Sequence, residues 1–212
     1  MNKINLLILV CLLSFIISSL WEADIVMKYL AFSGENLLEG RVWTPITSLF
    51  LHGDFFHLFG NMLFLFVFGN TLENEVKAAK TLSAFFLGGI MTFLLGTLFY
   101  DPQTYLIGAS AAIFTLTAAV MLINPLKFSI IFLMPQGLVA IIYFIYNVAA
   151  VQSGIQGDVA YVSHVIGFMI GIPLGIAWSK NWIKNILVTL ALFVLYLILI
   201  FVVVPNLIAY LS

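Results

Sequence analysis

The stretch "HVIGFMIGIPLG" (His164 to Gly175) decides how this chain packs. Gly167, Gly171 and Gly175 follow the histidine at i+3, i+7 and i+11, so on a helix they lie on the same face as His164. A face made of glycines is nearly flat and lets the backbone of another helix approach closely. The stretch therefore predicts an apolar helix that packs tightly against a partner helix and carries one ionisable group.

The overall composition places the chain in a lipid bilayer. Of its 212 residues, 63% are hydrophobic and only 8% are charged, whereas soluble domains are typically about 25% charged. The net charge of −1 provides no basic surface for nucleic acid. We therefore expect the lipid bilayer to surround this protein and no nucleic acid to be among its partners.

Hydrophobic runs predict an all-α fold, a polytopic bundle of transmembrane helices. The hydrocarbon core of a bilayer is ~30 Å thick and needs roughly 20 apolar residues per helix. Seven segments qualify, at about 4–20, 56–72, 81–100, 107–123, 128–150, 160–178 and 186–209. No small-x-small cleavage site follows the first of them, which indicates a retained span rather than a signal peptide. Residues 1–212 are expected to form a single membrane domain.

Charged residues between the predicted spans indicate the orientation of the chain. Six basic residues fall on one side of the seven-span arrangement: Lys3, Lys77, Lys80, Lys127, Lys180 and Lys184. The other two, Lys28 and Arg41, lie in the segment 21–55 on the opposite side. The positive-inside rule then places the N-terminus in the cytoplasm and the C-terminus outside. Because 21–55 also mixes acidic and aromatic residues, it is expected to form a structured loop at the membrane interface.

This topology places three chemically capable side chains at a similar depth. His57 begins the second span, Ser110 lies near the start of the fourth, and His164 lies near the start of the sixth. Even-numbered spans all begin on the outer side, so these residues are expected just beneath the outer surface. Ionisable groups inside membranes are costly and tend to be functional. The third histidine, His52, is interpreted as an interface residue, because nothing in the sequence pairs with it.

Ser110 and His164 are predicted to meet because their helices pack closely. The fourth span offers a stripe of small residues to the glycine face: Gly108, Ala111, Thr115 and Ala118. Close packing brings Ser110 within hydrogen-bond reach of His164, as a serine nucleophile and its base require. Asp158 lies six residues before His164, in a predicted loop, so a Ser–His dyad is expected rather than a triad.

Candidate donors for the oxyanion of a tetrahedral intermediate lie close by. His57 and Asn61 are at i and i+4 in "HLFGN" and share one helix face. Together with the backbone N–H of Ser110, their side chains are candidates for an oxyanion hole, in which each donor is typically worth a few kcal/mol in the transition state. Hydrolysis also needs water, which fits a site near the outer surface. The pattern as a whole predicts acyl transfer.

Three motifs together resemble a known family. "HLFGN" in the second span, "GAS" (108–110) at the start of the fourth and "HVIGFMIG" (164–171) in the sixth are similar to the rhomboid intramembrane serine proteases. The resemblance extends from about Trp21 to Trp178, with the motifs in the expected order. It implies a six-helix core over about 4–178 and one additional C-terminal helix over about 186–209.

The resemblance also implies the roles of the site residues. Ser110 is then the nucleophile, His164 the general base, and His57 with Asn61 lines the oxyanion hole. Phe114, one turn after Ser110, is expected to pack under the His164 ring. Transmembrane segments of membrane proteins are the implied substrates, approaching laterally near the fifth span, and neither a metal nor a cofactor is needed. We expect a prokaryotic plasma-membrane protein whose active site opens to the extracytoplasmic side.

Two positions depart from the pattern of many relatives. In the first loop Trp43 is followed by Thr44 instead of arginine, with Arg41 two residues before the tryptophan. Ala111 stands directly after the nucleophile, where many relatives have glycine. Arg41 is a candidate substitute for anchoring the loop, and the methyl group of Ala111 adds volume beside the oxyanion hole. We expect activity to survive both changes.

Other functions fit parts of the pattern. An inactive rhomboid-like protein that binds transmembrane segments has the same fold, although Ser110 and His164 are both present here. A small-solute transporter usually has broken helices or charges near the bilayer midplane, whereas here every acidic and basic residue falls at a span end or in a loop. A zinc site could use the three histidines, but His52 and His57 are five residues apart and face each other poorly on a helix.

Overall fold

Apolar helices make up most of the chain in the computed structural model, which describes residues 2–154 and 160–211. The helices are α1 (Lys3–Ser18), α2 (Ala23–Leu30), α3 (Gly34–Leu38), α4 (Thr44–Thr47), α5 (Phe55–Phe64), α6 (Asn70–Gly96), α7 (Ser110–Ile123), α8 (Gln136–Gln152), α9 (Tyr161–Trp178), α10 (Trp182–Ile198) and α11 (Val204–Leu211). A π-helical turn joins α5 to α6 (Leu65–Gly69) and another joins α10 to α11 (Leu199–Val203), while a 3₁₀ turn, Ser48–Phe50, follows α4. The all-α prediction is confirmed.

The helices coincide with the predicted spans. Within the described residues, three helical runs are long and apolar enough to cross a bilayer: Phe55–Gly96, Tyr161–Trp178 and Trp182–Tyr210. Three shorter apolar helices are α1, α7 and α8. The 42-residue run would be roughly 63 Å long as one helix, twice the hydrocarbon thickness. It is broken at Lys77 (φ 74°, ψ 161°) and therefore supplies two of the seven predicted spans.

The predicted start of the fifth span was wrong. Residues 128–135 form a small antiparallel hairpin, β1 (Phe128–Ser129) with β2 (Met134–Pro135). Helix α8 begins only at Gln136, after Pro135 in an extended conformation. The hairpin is as apolar as the helix that follows, so hydrophobicity alone did not separate them. The remaining span ends differ from prediction by a few residues, as when the fourth span begins at Ser110 rather than 107.

Helix α7 is the centre of the bundle, since every residue from Ala111 to Leu122 is buried. The glycine face of α9 lies directly against it. A Cβ on Gly167 would overlap the Ala111 carbonyl oxygen, and one on Gly171 would lie 2.7 Å from Ala118 Cβ. The Thr115 hydroxyl donates to the Gly167 carbonyl at 2.7 Å. The predicted close packing of the fourth and sixth spans is therefore confirmed, and it holds the start of α7 beside the start of α9.

The segment 21–55 is a structured loop, as predicted, and contains α2, α3 and α4. Its centre is Asn36, which is buried and donates to the carbonyls of Met27 (3.1 Å) and Ala31 (2.8 Å). Arg41 donates to Asn36 Oδ1 at 2.6 Å and lies over the Tyr29 ring. Arg41 thus contacts the core of the loop, which matches the anchoring suggested for it from the sequence.

Candidate active site

A cavity of about 920 Å³ brings together the polar residues singled out from the sequence. It is lined by Ser110, His164, His57, Asn61 and Phe114, together with Met27, Gly53, Asp54, Phe56, Gly60, Phe64, Tyr100, Thr104, Tyr105, Leu106, Ile107, Ile113, Tyr143 and Ala160. These residues come from α2, α5, α7, α8, α9 and the connections between helices. Residues near the predicted starts of the second, fourth and sixth spans thus line one cavity.

Ser110 is the first residue of α7 and is half-buried. The first backbone N–H groups of a helix have no partner within the helix, so the N–H of Ser110 is suited to an external acceptor. The turn before it is held by Gly108, whose N–H donates to the Ser48 carbonyl at 2.9 Å. Ser110 thus combines a hydroxyl and a backbone donor at one end of the cavity.

Both the backbone conformation at position 108 and the side chains around it require glycine there. Its φ of +106° lies in the region that favours glycine. A Cβ at this position would lie 2.7 Å from His57 Nε2 and 3.4 Å from Asn61 Nδ2. The absence of a side chain therefore leaves space between the two candidate donors and the turn that leads to Ser110.

The contacts of His57 indicate which of its ring nitrogens carries the proton. Asp54 caps α5 by accepting from the His57 backbone N–H at 2.9 Å. The N–H of Gly53 points towards His57 Nδ1 in a long contact of 3.5 Å, which favours the tautomer with the hydrogen on Nε2. That Nε2 is the atom nearest to the missing side chain of Gly108. In this tautomer His57 presents a donor to the space beside Gly108, in the cavity that Ser110 also lines.

Asn61 also has a free hydrogen-bond donor near Gly108. Its side chain is 9% exposed, and among residues 2–154 and 160–211 no acceptor bonds its Nδ2. Buried polar groups are nearly always hydrogen-bonded in native proteins. A buried amide donor without a partner, next to a cavity, is suited to receiving an oxygen atom from a ligand.

His164 is held by two residues. Its ring stacks on Phe114, with centroids 4.5 Å apart and planes 12° apart, as the family resemblance implied. Its Nδ1 lies 2.7 Å from Asn147 Oδ1 on α8. Ser110 and His164 both line the cavity, but in the part of the chain that the structure describes no direct hydrogen bond joins them.

Sequence reasoning missed Asn147 and did not predict the burial of His52. The available signal for Asn147 was a lone amide in the apolar run "YFIYNVAAV". His52 was interpreted as an unpaired interface residue, but it is buried and its ring meets the His57 ring edge-on, with centroids 5.1 Å apart. Neither of its ring nitrogens has a hydrogen-bond partner within the described residues. Its burial, followed by the nearby His57, lowers the pKa of His52 to about 4.

The alternative zinc site gains no support from the arrangement. In the described ranges, no three His, Cys, Asp or Glu side chains are grouped so that they could hold a metal ion. Asp158, which the dyad prediction placed in a loop, lies outside the described residues.

Comparison with known proteins identifies the family. The rhomboid domain model matches residues 39–181. The chain is 31% identical over 94 residues to Rhomboid-like protease 1 of Toxoplasma gondii (44% of this chain, 32% of the relative). It is 37% identical over 87 residues to the putative rhomboid protease YdcA of Bacillus subtilis (40% and 43%), and 25% identical over 117 residues to Rhomboid protease GlpG of Salmonella newport (55% and 42%).

Each of these matches spans less than half the length of the relative. The family model, in contrast, covers about two thirds of this chain and includes α5, α7, α8 and α9, which carry the cavity residues. With its apolar helices and this match, the chain is an integral membrane protein and belongs to the rhomboid family.

Proposed function

We propose that this protein is an intramembrane serine endopeptidase that uses Ser110 and His164 as a catalytic dyad. The observation that carries the proposal is the convergence on one cavity of a helix-start serine, a histidine stacked on Phe114 and two polar side chains beside Gly108. This is the constellation that acyl transfer by a serine needs: a nucleophile, a base and donors for an oxyanion.

The reaction proceeds in two halves. Ser110 Oγ attacks the carbonyl carbon of the scissile peptide bond, and its proton passes to Nε2 of His164. When the tetrahedral intermediate collapses, the C–N bond breaks and His164 protonates the leaving amine. Water then attacks the acyl-enzyme, giving its proton to His164, and Ser110 is released as the carboxylic acid product departs. The Ser110–His164 hydrogen bond forms with substrate bound, since catalytic hydrogen bonds are often long in unliganded enzymes.

Three donors stabilise the negative oxygen. They are the Ser110 backbone N–H at the start of α7, together with His57 Nε2–H and Asn61 Nδ2–H, which lie beside the space that Gly108 leaves free. Each such donor typically contributes about 10²–10³-fold to the rate. The unpartnered state of Asn61 Nδ2 in the described residues supports this role, because a donor that is already bonded is less able to follow the oxygen.

Transmembrane segments are the proposed substrates, and they enter laterally beside α8. Phe64, the last residue of α5, and Tyr143 of α8 both line the cavity. Their rings contact each other, with centroids 4.6 Å apart. A helical peptide bond is shielded by its own hydrogen bonds, so the outer end of the substrate helix must unwind before attack. Substrates therefore carry small or helix-destabilising residues near the cleaved bond.

The same proposal includes the orientation. The N-terminus lies in the cytoplasm and the cavity faces the extracytoplasmic side, which the distribution of basic residues supports. A prokaryotic plasma membrane is part of the same proposal. A second candidate function is binding of transmembrane segments without cleavage. The observation in its favour is that Ser110 and His164, in the described structure, are not directly bonded.

A fluorophosphonate probe distinguishes the two functions. Purified protein in detergent is compared as wild type, Ser110→Ala, His164→Ala and Ser163→Ala, each with and without EDTA, beside cleavage of a membrane-protein substrate in vesicles. We expect labelling and cleavage by wild type and by Ser163→Ala, in which the serine adjacent to the base is removed, with no effect of EDTA. Folded wild type that neither labels nor cleaves would favour the binding protein, and labelling of Ser110→Ala would mean another nucleophile.

A further inference from the structure

A buried amide on α8 contacts the histidine of the dyad. Asn147 is 2% exposed and lies inside an apolar membrane helix, α8. Polar side chains inside membrane segments usually bond to neighbouring helices, and here the partner is His164 on α9. The interaction is therefore a link between two helices at the proposed active site.

The orientation of the Asn147 amide follows from its second contact. Its Nδ2 lies 2.8 Å from the carbonyl oxygen of Tyr143. A carbonyl oxygen can only accept, so the NH₂ group must be on that side and the amide oxygen on the side of His164. The Oδ1 to Nδ1 distance of 2.7 Å is a good hydrogen-bond length.

The tautomer of His164 follows in turn. The Asn147 Oδ1 atom has no hydrogen to donate, so the bond forms only if His164 Nδ1 carries the proton. In a neutral ring, Nε2 then has the free lone pair, as a base that removes a proton from a serine requires. The Phe114 stack fixes the plane of the ring, and the Asn147 bond fixes which edge of the ring faces away from α8.

We propose that Asn147 is a positioning residue that holds His164 in the Nδ1–H tautomer and in one ring orientation. It supplies from α8 the oxygen that a carboxylate supplies in a Ser–His–Asp triad, but without a charge. The catalytic consequence rests on the proposed protease function, whereas the tautomer itself does not. Asn147 does not touch the reacting atoms and acts through His164.

Two substitutions separate the bonds of Asn147. Asn147→Leu removes both bonds at similar volume, and Asn147→Asp keeps an acceptor for Nδ1 but loses the donor to the Tyr143 carbonyl. Asn206→Leu is the matched control. Asn206 on α11 is exposed and makes the same bond to the carbonyl four residues earlier, Val202, at 2.7 Å, without a histidine partner.

The first readout is solid-state NMR of ¹⁵N-histidine-labelled protein in lipid bilayers, at a pH where the ring is neutral. The His164 signals are assigned by their loss in His164→Ala. We expect a protonated Nδ1 in wild type, Asn147→Asp and Asn206→Leu, and a shift towards protonated Nε2 in Asn147→Leu. A wild-type His164 protonated on Nε2 would overturn the proposal. Because this spectrum does not require turnover, it tests the His164 tautomer even if no substrate is cleaved.

The second readout is steady-state cleavage in vesicles. Misplacement of a catalytic group by about 1 Å costs roughly 10²-fold in rate, so kcat of Asn147→Leu should fall by about that factor with KM changed less than about twofold. Asn147→Asp should retain kcat within about tenfold, and Asn206→Leu should match wild type. An Asn147→Leu protein with wild-type kcat would refute positioning. Failure of wild type to cleave, with the expected NMR tautomers, would instead refute the protease function and leave the tautomer assignment in place.

Discussion

The ring of His164 lies nearly parallel to the ring of Phe114, with their centroids 4.5 Å apart. The two residues come from the helices that pack most closely in the bundle, α9 and α7, whose contact depends on the glycine face. This stack joins the architecture of the bundle to the chemistry of the site, because the distance between the helices determines where the histidine ring lies relative to Ser110.

Replacement of Phe114 by leucine should lower kcat. Aromatic pairs contribute about 0.5–1.5 kcal/mol beyond their buried area, so loss of the stack should reduce kcat by up to about tenfold as the ring gains freedom. Phe144→Leu is the control, since Phe144 stacks on Phe168 with centroids 4.3 Å apart and has no histidine partner. Equal losses of kcat in both variants would contradict a specific role for the Phe114 stack.

Gly108→Ala should abolish most of the activity while leaving a folded protein. The added methyl group would fall 2.7 Å from His57 Nε2 and occupy the space proposed for the oxyanion, so kcat should fall about 10²–10³-fold. Gly40→Ala controls for backbone strain, because Gly40 also has a positive φ, +87°, with nothing within 4 Å of its added Cβ. If kcat falls equally in both variants, strain and not the lost space is responsible.

Gly167→Ala should destabilise the bundle. Its Cβ would overlap the Ala111 carbonyl of α7, and overpacking of this kind typically costs about 1–3 kcal/mol. Thermal unfolding in detergent should show a clear decrease in Tm. Gly60→Ala is the matched change, since it also lies within a helix, α5, and its added Cβ meets nothing within 4 Å. A Gly167→Ala protein as stable as Gly60→Ala would mean that the two helices can separate without cost.

The stability of the protein should decrease as the pH falls through the range in which His52 titrates in the unfolded chain. Burial, and secondarily His57, lowers the pKa of His52 from 6.5 to about 4, while the backbone of Phe50 and the charge of Asp54 act in the opposite direction. Between these values the unfolded chain binds a proton that the folded chain does not, so His52 has no effect above about pH 6.5 and lowers stability progressively towards pH 4. At 1.36 kcal/mol per pKa unit, the full loss is about 3 kcal/mol.

Comparison of wild type with His52→Gln measures this contribution, because glutamine does not titrate. The difference in unfolding free energy between the two proteins should change with pH below 6.5 and be constant above it. A difference independent of pH from 4 to 8 would show that His52 is protonated in the folded state or accessible to water.

The membrane spans could be predicted because hydrophobicity is a property of each residue and needs no partner. The same was true of the glycine face at 164–175, since helical periodicity alone places Gly167 and Gly171 on one side. The start of α8 could not be predicted in this way. The hairpin at 128–135 is as apolar as a span, and only backbone pairing distinguishes it from a helix.

The candidate site was predictable to the extent that its residues lie in recognisable local patterns. Ser110, His57 and His164 lie near the starts of even-numbered spans and Asn61 one turn after His57, so the predicted topology places them on one side at a similar depth. Asn147 lies on a different helix, 17 residues from His164, and no spacing in the sequence connects the two. The contact between the rings of His52 and His57 was likewise not predicted from the sequence.

The sequence by itself determined an all-α membrane bundle, most of its helices, and the set of polar residues that the predicted topology groups together. Only the tertiary structure decided the orientation of those residues: the amide of Asn147 against His164, the ring of Phe114 beneath it, and the space that Gly108 leaves beside His57. The physical reason is that burial and periodicity act along one helix, whereas a hydrogen bond or a ring stack between helices depends on distances that arise only when α7, α8 and α9 have packed together.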